Sequence, residues 1–177
     1  NAAGLAHRVS RPDLLVLGTD LWVPMGVDPN RIPRQARQFA IVGRLGDGAT
    51  LAEFIEGVVR NEKYRASNYG LVLWGHAFGI GFGRDGHDAL MLPKLRGALE
   101  GFNQARAQVE GSGTPRPLEL LGTNACAMSY LEAAWELRAS AQYLVASQIS
   151  VPFAGWPYES ILRRVEAGIA EGPFSAE

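Results

Sequence analysis

"YGLVLWGH", residues 69–76, is a short, unbroken apolar run that ends in glycine and is followed at once by a histidine. Apolar runs of this length without polar alternation are expected of strands buried on both faces, as in parallel sheets covered by helices. Upstream, "TLAEFIEGVVR", residues 50–60, has Thr50 and Glu53 in capping-box positions and Leu51, Phe54, Ile55, Val58 and Val59 at helical spacing. Downstream, "ALMLPKLRGALEGF", residues 89–102, places Leu92, Leu95, Leu99 and Phe102 on one helical face, with Pro93 near the first turn.

The alternation continues along the chain. "EGSGTPRP", residues 110–117, is a flexible connector, followed by a strand in "LELLG", residues 118–122, and a helix expected to begin near Cys126. "YLVASQI", residues 143–149, gives another strand, and "PYESILRRVEAGI", residues 157–169, a last helix with Pro157 at its start. Before residue 50, Leu14–Leu17 reads as a strand, residues 22–38 as a Pro- and Arg-containing excursion, and Phe39–Val42 as a strand or an edge piece. Strands separated by helices predict an α/β fold: a mostly parallel sheet with helices packed on both faces.

Composition bounds the function. The chain has 177 residues, 47% of them hydrophobic and 20% charged, which suits one domain with a sizeable core. It starts at Asn1 without methionine, so a fragment or processed product is expected, with the first part of the fold or flanking domains missing. Seventeen basic against 18 acidic residues leave a net charge of -1, which favours neither nucleic acid nor an anionic membrane as a partner. Arg31, Arg34 and Arg37 read as a solvated face. No apolar run reaches the roughly 20 residues of a membrane helix. A single cysteine forms no intramolecular disulfide, so a cytoplasmic location is expected ahead of a secreted one.

In a parallel sheet the loops after the strands converge on one rim, where ligand sites form. His76 follows the first of these strands, and Thr123, Asn124, Ala125 and Cys126 follow the second, so both reactive side chains are expected on the same rim. A cysteine at a helix start gains thiolate stabilisation from free N–H groups and the helix dipole. Two readings of this pair stand side by side: a buried thiol and a satisfied histidine, or a nucleophile with its base.

Taken together, "LVLWGHAFG" (71–79), "LLGTNACAMSYLEAAWEL" (120–137), "YLVASQ" (143–148) and "GWPYESIL" (155–162) resemble the clostripain family of cysteine peptidases, relatives of caspases and gingipains. The resemblance covers roughly residues 50–168, and the separation of His76 from Cys126 matches the spacing of about 50 in caspases. It implies a cysteine endopeptidase acting through a thioacyl-enzyme, with Cys126 as nucleophile and His76 as general base and then acid. The backbone N–H groups of Ala77 and Cys126 would form the oxyanion hole. The family does not require a third residue to orient the imidazole, so Asp20, Asp85 and Asp88 are given no role.

The departures are informative. Glycine is usual in the family where Ala77 stands. Trypsin-like relatives carry aspartate where Asn124 stands, and a second acid of that pocket would fall near Ala154. With neither charge present, a neutral or apolar P1 residue is expected rather than arginine or lysine, with Phe153 and Trp156 as candidate pocket walls. Such a preference is reminiscent of caspase-like proteases of bacterial defence systems. The alternative is a catalytically inactive caspase-like binding or scaffold module.

No cofactor is expected; some relatives depend on calcium, for which the sequence offers no evident ligands, and one cysteine with three scattered histidines argues against structural zinc. The expected partner is a protein or peptide substrate, alongside a regulatory domain or partner. His87 reads as a solvated histidine and His7 is unplaced. "GIGFGRDG", residues 79–86, lacks the Lys and Ser or Thr of a phosphate loop and is expected to be a mobile loop flanking the substrate. The connector is a candidate site of activating self-cleavage.

Overall fold

The computed structural model describes residues 46–85, 88–152 and 154–171. The expected strands at Leu14–Leu17 and Phe39–Val42 lie outside the described residues. Helix α1, Gly48–Arg60, starts ahead of the predicted capping box, because the Asp47 side chain accepts from the Ala49 N–H at 3.0 Å and so caps the helix upstream of Thr50. Its face of Leu51, Phe54, Ile55 and Val59 is buried as the spacing predicts.

Strand β1, Gly70–Trp74, is followed by a hairpin of β2, Gly81–Asp85, and β3, Asp88–Met91. This corrects the mobile loop expected at "GIGFGRDG". Helix α2 spans Leu92–Glu110 with Pro93 in its first turn, and Leu92, Leu95, Leu99 and Phe102 are buried. It ends at Gly111, whose φ of 66° is the left-handed cap that glycine supplies without strain.

Strand β4, Leu118–Asn124, runs two residues further than "LELLG" and carries Thr123 and Asn124 inside the strand. A short helix α3, Leu131–Leu137, strand β5, Ala141–Val145, and helix α4, Tyr158–Glu171, complete the described chain.

The sheet is parallel in the order β1-β4-β5. Register places Leu71, Leu121 and Leu144 on one rung of the inner face, where they meet a core that includes Leu95, Leu99 and Phe102 of α2 and Phe54 and Val59 of α1. Leu95 and Leu99 are fully buried, each contributing about 2 kcal/mol by transfer from water.

The outer face carries Val72, Gly122 and Val145 on one rung, and Trp74 with Asn124 at its carboxyl end. The Trp156 ring lies on Gly122: a Cβ there would come within 2.9 Å of Trp156 Cζ3, so the strand meets the indole only because that rung has no side chain. The segment that leads into α4 thus crosses the outer face of β4.

The amino-terminal rim of the sheet is tied by charge. Arg106 of α2 has no exposed surface, and it donates to both oxygens of Glu119, to Glu110, and to the carbonyls of Ser67 and Pro117. Its guanidinium also lies 5.1 Å from the Tyr69 ring centroid. Burial alone would push the Glu119 carboxyl up, but Arg106 and the Tyr69 N–H hold it below its ordinary value.

Candidate active site

The register pairs Trp74 with Asn124, so His76 and Cys126 each stand two residues past the same rung of adjacent parallel strands. The ladder continues one step beyond that rung, where the Gly75 N–H donates to the Asn124 carbonyl at 3.3 Å. His76 is exposed and Cys126 is half-buried. Adjacent strands lie about 4.8 Å apart, which keeps both residues on one rim.

The chain does not enter a helix at Cys126. It turns through Cys126 and Ala127, and α3 begins only at Leu131, so stabilisation of a thiolate by a helix N-terminus does not apply here. The turn is held differently. Ala127 has a φ of 54°, a left-handed conformation that an L-residue enters at a cost of about 1–2 kcal/mol. The loop after β5 opposes that cost: Met128 and Ser129 N–H donate to the Ser147 carbonyl at 2.9 and 3.1 Å. The same loop reaches the sulfur, as the Val151 N–H donates to Cys126 Sγ at 3.3 Å.

Ala77 is fixed by the hairpin. It faces Phe82 in an antiparallel bridge, in which the Gly83 N–H donates to the His76 carbonyl and the Phe78 N–H to the Gly81 carbonyl. In that pattern the flanking residues make the bonds and the N–H of Ala77 itself points away from its partner strand. Among the described residues neither the Ala77 nor the Cys126 N–H has an acceptor. Ala127 is the only non-glycine residue at positive φ among them, so Ala77 occupies an ordinary torsion and does not need glycine.

Asn124 is 2% exposed and its Nδ2 donates to the Tyr158 hydroxyl at 2.8 Å, while its buried Oδ1 has no partner among the described residues. Thr123 Oγ1 beside it is also buried and has none among them. Gly155, at φ 66°, closes over the Asn124 amide so tightly that a Cβ would meet Nδ2 at 2.5 Å. Tyr158 stands between two indoles, with centroids 5.6 Å from Trp74 and 6.4 Å from Trp156. Burial raises the Tyr158 phenol above its ordinary value, and the bond from Asn124 partly offsets that.

Of the sequence candidates, Asn124 and Trp156 therefore gather with Tyr158 and Trp74 at one end of the outer face, and Ala154 is exposed in the turn before them. Phe153, His87, His7 and Asp20 lie outside the described residues. Asp88 pairs with Lys94 at 2.6 Å. Trp74 and Tyr158 were not singled out by sequence. Their signal was the spacing of Trp74, two residues before His76, which mirrors that of Asn124 before Cys126.

Among the described residues no three His, Cys, Asp or Glu side chains converge. No described helix is long and apolar enough to cross a membrane.

The model of the clostripain family matches residues 36–172. Among solved structures the chain is similar to a secreted C11 cysteine protease from Bacteroides thetaiotaomicron in complex with an irreversible peptide inhibitor. Identity is 22% and the TM-score 0.54, over 73% of this chain and 37% of that one. It is also similar to an inactive zymogen C11 protease from Parabacteroides distasonis, at 26% identity and a TM-score of 0.50, over 66% of this chain and 30% of that one. The chain thus spans about a third of the length of either. No curated protein matches it.

Proposed function

The chain belongs to the clostripain family, and from that premise we propose that it carries the reacting groups of a cysteine endopeptidase, with Cys126 as nucleophile and His76 as its base. The Cys126 sulfur attacks the scissile carbonyl carbon while the His76 imidazole takes the thiol proton. The negative charge that develops on the carbonyl oxygen is met by the Ala77 and Cys126 N–H groups, which have no other acceptor among the described residues. The imidazolium then protonates the leaving amine, a thioester remains on Cys126, and a water deprotonated by His76 releases the acid and restores the thiol.

The observation that carries this reading is the shared rung. Residues two past Trp74 and two past Asn124 on neighbouring parallel strands are an imidazole and a thiol, with two uncommitted donors beside them. The normal torsion of Ala77 favours activity over the scaffold alternative, because the family's glycine is not needed there.

The P1 preference follows from charge. Asn124 and Ala154 supply no anion, and seating a substrate cation without one costs several kcal/mol, which selects a neutral P1 residue. The connector 111–117 stands at the opposite end of β4 from Cys126, about 20 Å away along the strand, a poor position for cleavage by the same molecule.

A peptide library incubated with wild type and with Cys126→Ala tests the activity. Cleavage lost in the variant, with its unfolding midpoint unchanged, is the expected result. Full cleavage by the variant ends the proposal. Labelling of Cys126 by an electrophilic probe, blocked when His76 is replaced, separates an active enzyme from a scaffold.

A further inference from the structure

We propose that Tyr158, set by Asn124, reads the P1 side chain and selects an uncharged one that carries a hydrogen-bond acceptor, the carboxamide of glutamine or asparagine. This rests on the peptidase reading above and narrows its neutral preference to one chemical class.

Hydrogen-bond polarity decides what Tyr158 can offer a ligand. A carboxamide nitrogen has protons and no lone pair to offer, so in the 2.8 Å contact from Asn124 Nδ2 the Tyr158 oxygen must accept. The phenol's own proton is then left over, and it finds no acceptor among the described residues. Because burial raises the phenol above its ordinary value, the hydroxyl keeps that proton to donate.

Asn124 is 2% exposed and roofed by Gly155, so it acts through Tyr158 rather than on a ligand: it is a positioning residue. Tyr158 is only half-buried and is flanked by the Trp74 and Trp156 rings. Beside the two indoles the phenol therefore presents one polar group with a proton to donate. Such a surface suits a flat, neutral group with a carbonyl oxygen. A carboxylate would lose water between two indoles with no cation in return, and an arginine or lysine would bring donors to meet a donor. Placement agrees, since Trp74 and Asn124 stand two residues before His76 and Cys126 on the rim where the reacting groups emerge.

Replacing Asn124 by aspartate reverses the polarity. A carboxylate only accepts, so it accepts a hydrogen bond from the Tyr158 hydroxyl and leaves the lone pairs of that oxygen facing outward.

The test uses three peptidyl acyloxymethyl ketones identical except for glutamine, norleucine or arginine at P1, with the rate of Cys126 labelling read by intact mass. Wild type is expected to favour glutamine over norleucine by about three- to tenfold, the worth of one net hydrogen bond. Tyr158→Phe is expected to bring that ratio close to one. Asn124→Asp, which keeps the size of the side chain, is expected to abolish the glutamine lead and raise the arginine rate. An unchanged ratio in Tyr158→Phe, or a wild-type preference for norleucine or arginine, overturns the inference and leaves the peptidase reading standing. If none of the three probes labels wild-type Cys126, that reading fails and this one with it.

Discussion

The two ends of β4 treat polar groups in opposite ways. At its start Arg106 has no exposed surface, yet every face of its guanidinium is used: two oxygens of Glu119, one of Glu110, the carbonyls of Ser67 and Pro117, and the Tyr69 ring. At its end Thr123 Oγ1 and Asn124 Oδ1 are buried and the N–H groups of Cys126 and Ala77 stand free, all without partners among the described residues, and Ala127 is held in a left-handed torsion. One rim pairs the charge that it buries. The other leaves bonds unmade, and unmade bonds are what a reacting substrate can complete. A buried ion pair is weak evidence of net stability, but breaking one is costly, so the two rims should respond to mutation in different observables.

The sharpest contrast comes from one substitution at each end. His76→Ala is expected to lower peptide cleavage by about a thousandfold or more with no change in the unfolding midpoint, as measured by kinetics and calorimetry on one preparation. Arg106→Ala is expected to do the reverse, costing about 2–4 kcal/mol because Glu119 is left to Arg116 and the Tyr69 N–H, and the carbonyls of Ser67 and Pro117 lose their donor, with probe labelling of the folded fraction at the wild-type rate. A stable Arg106→Ala protein with damaged labelling would erase the distinction between the rims.

A smaller effect separates them by pH. Glu119 titrates below its ordinary value of 4.5 in the folded state, because Arg106 and the Tyr69 N–H outweigh burial. Its contribution is therefore complete above the unfolded value near 4.5 and is lost as pH falls through the depressed folded one. Denaturant titrations from pH 6 downward should show that loss in wild type and a flatter curve in Glu119→Gln. The smallest effect is expected at Ala127→Gly, which relieves the left-handed torsion but loosens the unfolded chain. The net gain should be below about 1 kcal/mol by chemical denaturation, accompanied by slower labelling of a less firmly held sulfur.

How much of this was legible in the sequence follows the same division. The helical faces of Leu51, Phe54, Ile55 and Val59 and of Leu92, Leu95, Leu99 and Phe102 were readable because periodic burial writes itself into the chain. So were the two strands before His76 and Cys126, though their pairing as neighbours came only with the sheet order. The hairpin of β2 and β3 was not, since "GIGFGRDG" is glycine-rich and "ALML" merges with the helix behind it. Asp47 displaced Thr50 as the cap because two competent caps stood close together and only geometry chooses between them. The helix expected at Cys126 failed to start there because Ala127 turns left-handed, which nothing about alanine announces. The Arg106 network and the Asn124–Tyr158 bond join residues far apart in sequence, and such pairings have no period to detect.

The bond from the Val151 amide to the Cys126 sulfur joins positions 25 residues apart. It makes the aim of the thiol depend on the intervening backbone returning to the same place each time the molecule folds. A nick between α3 and β5 would leave both fragments chemically whole, yet the sulfur would keep its bearing only while the two pieces stayed clasped, so here alignment of the thiol doubles as a report on the integrity of the polypeptide.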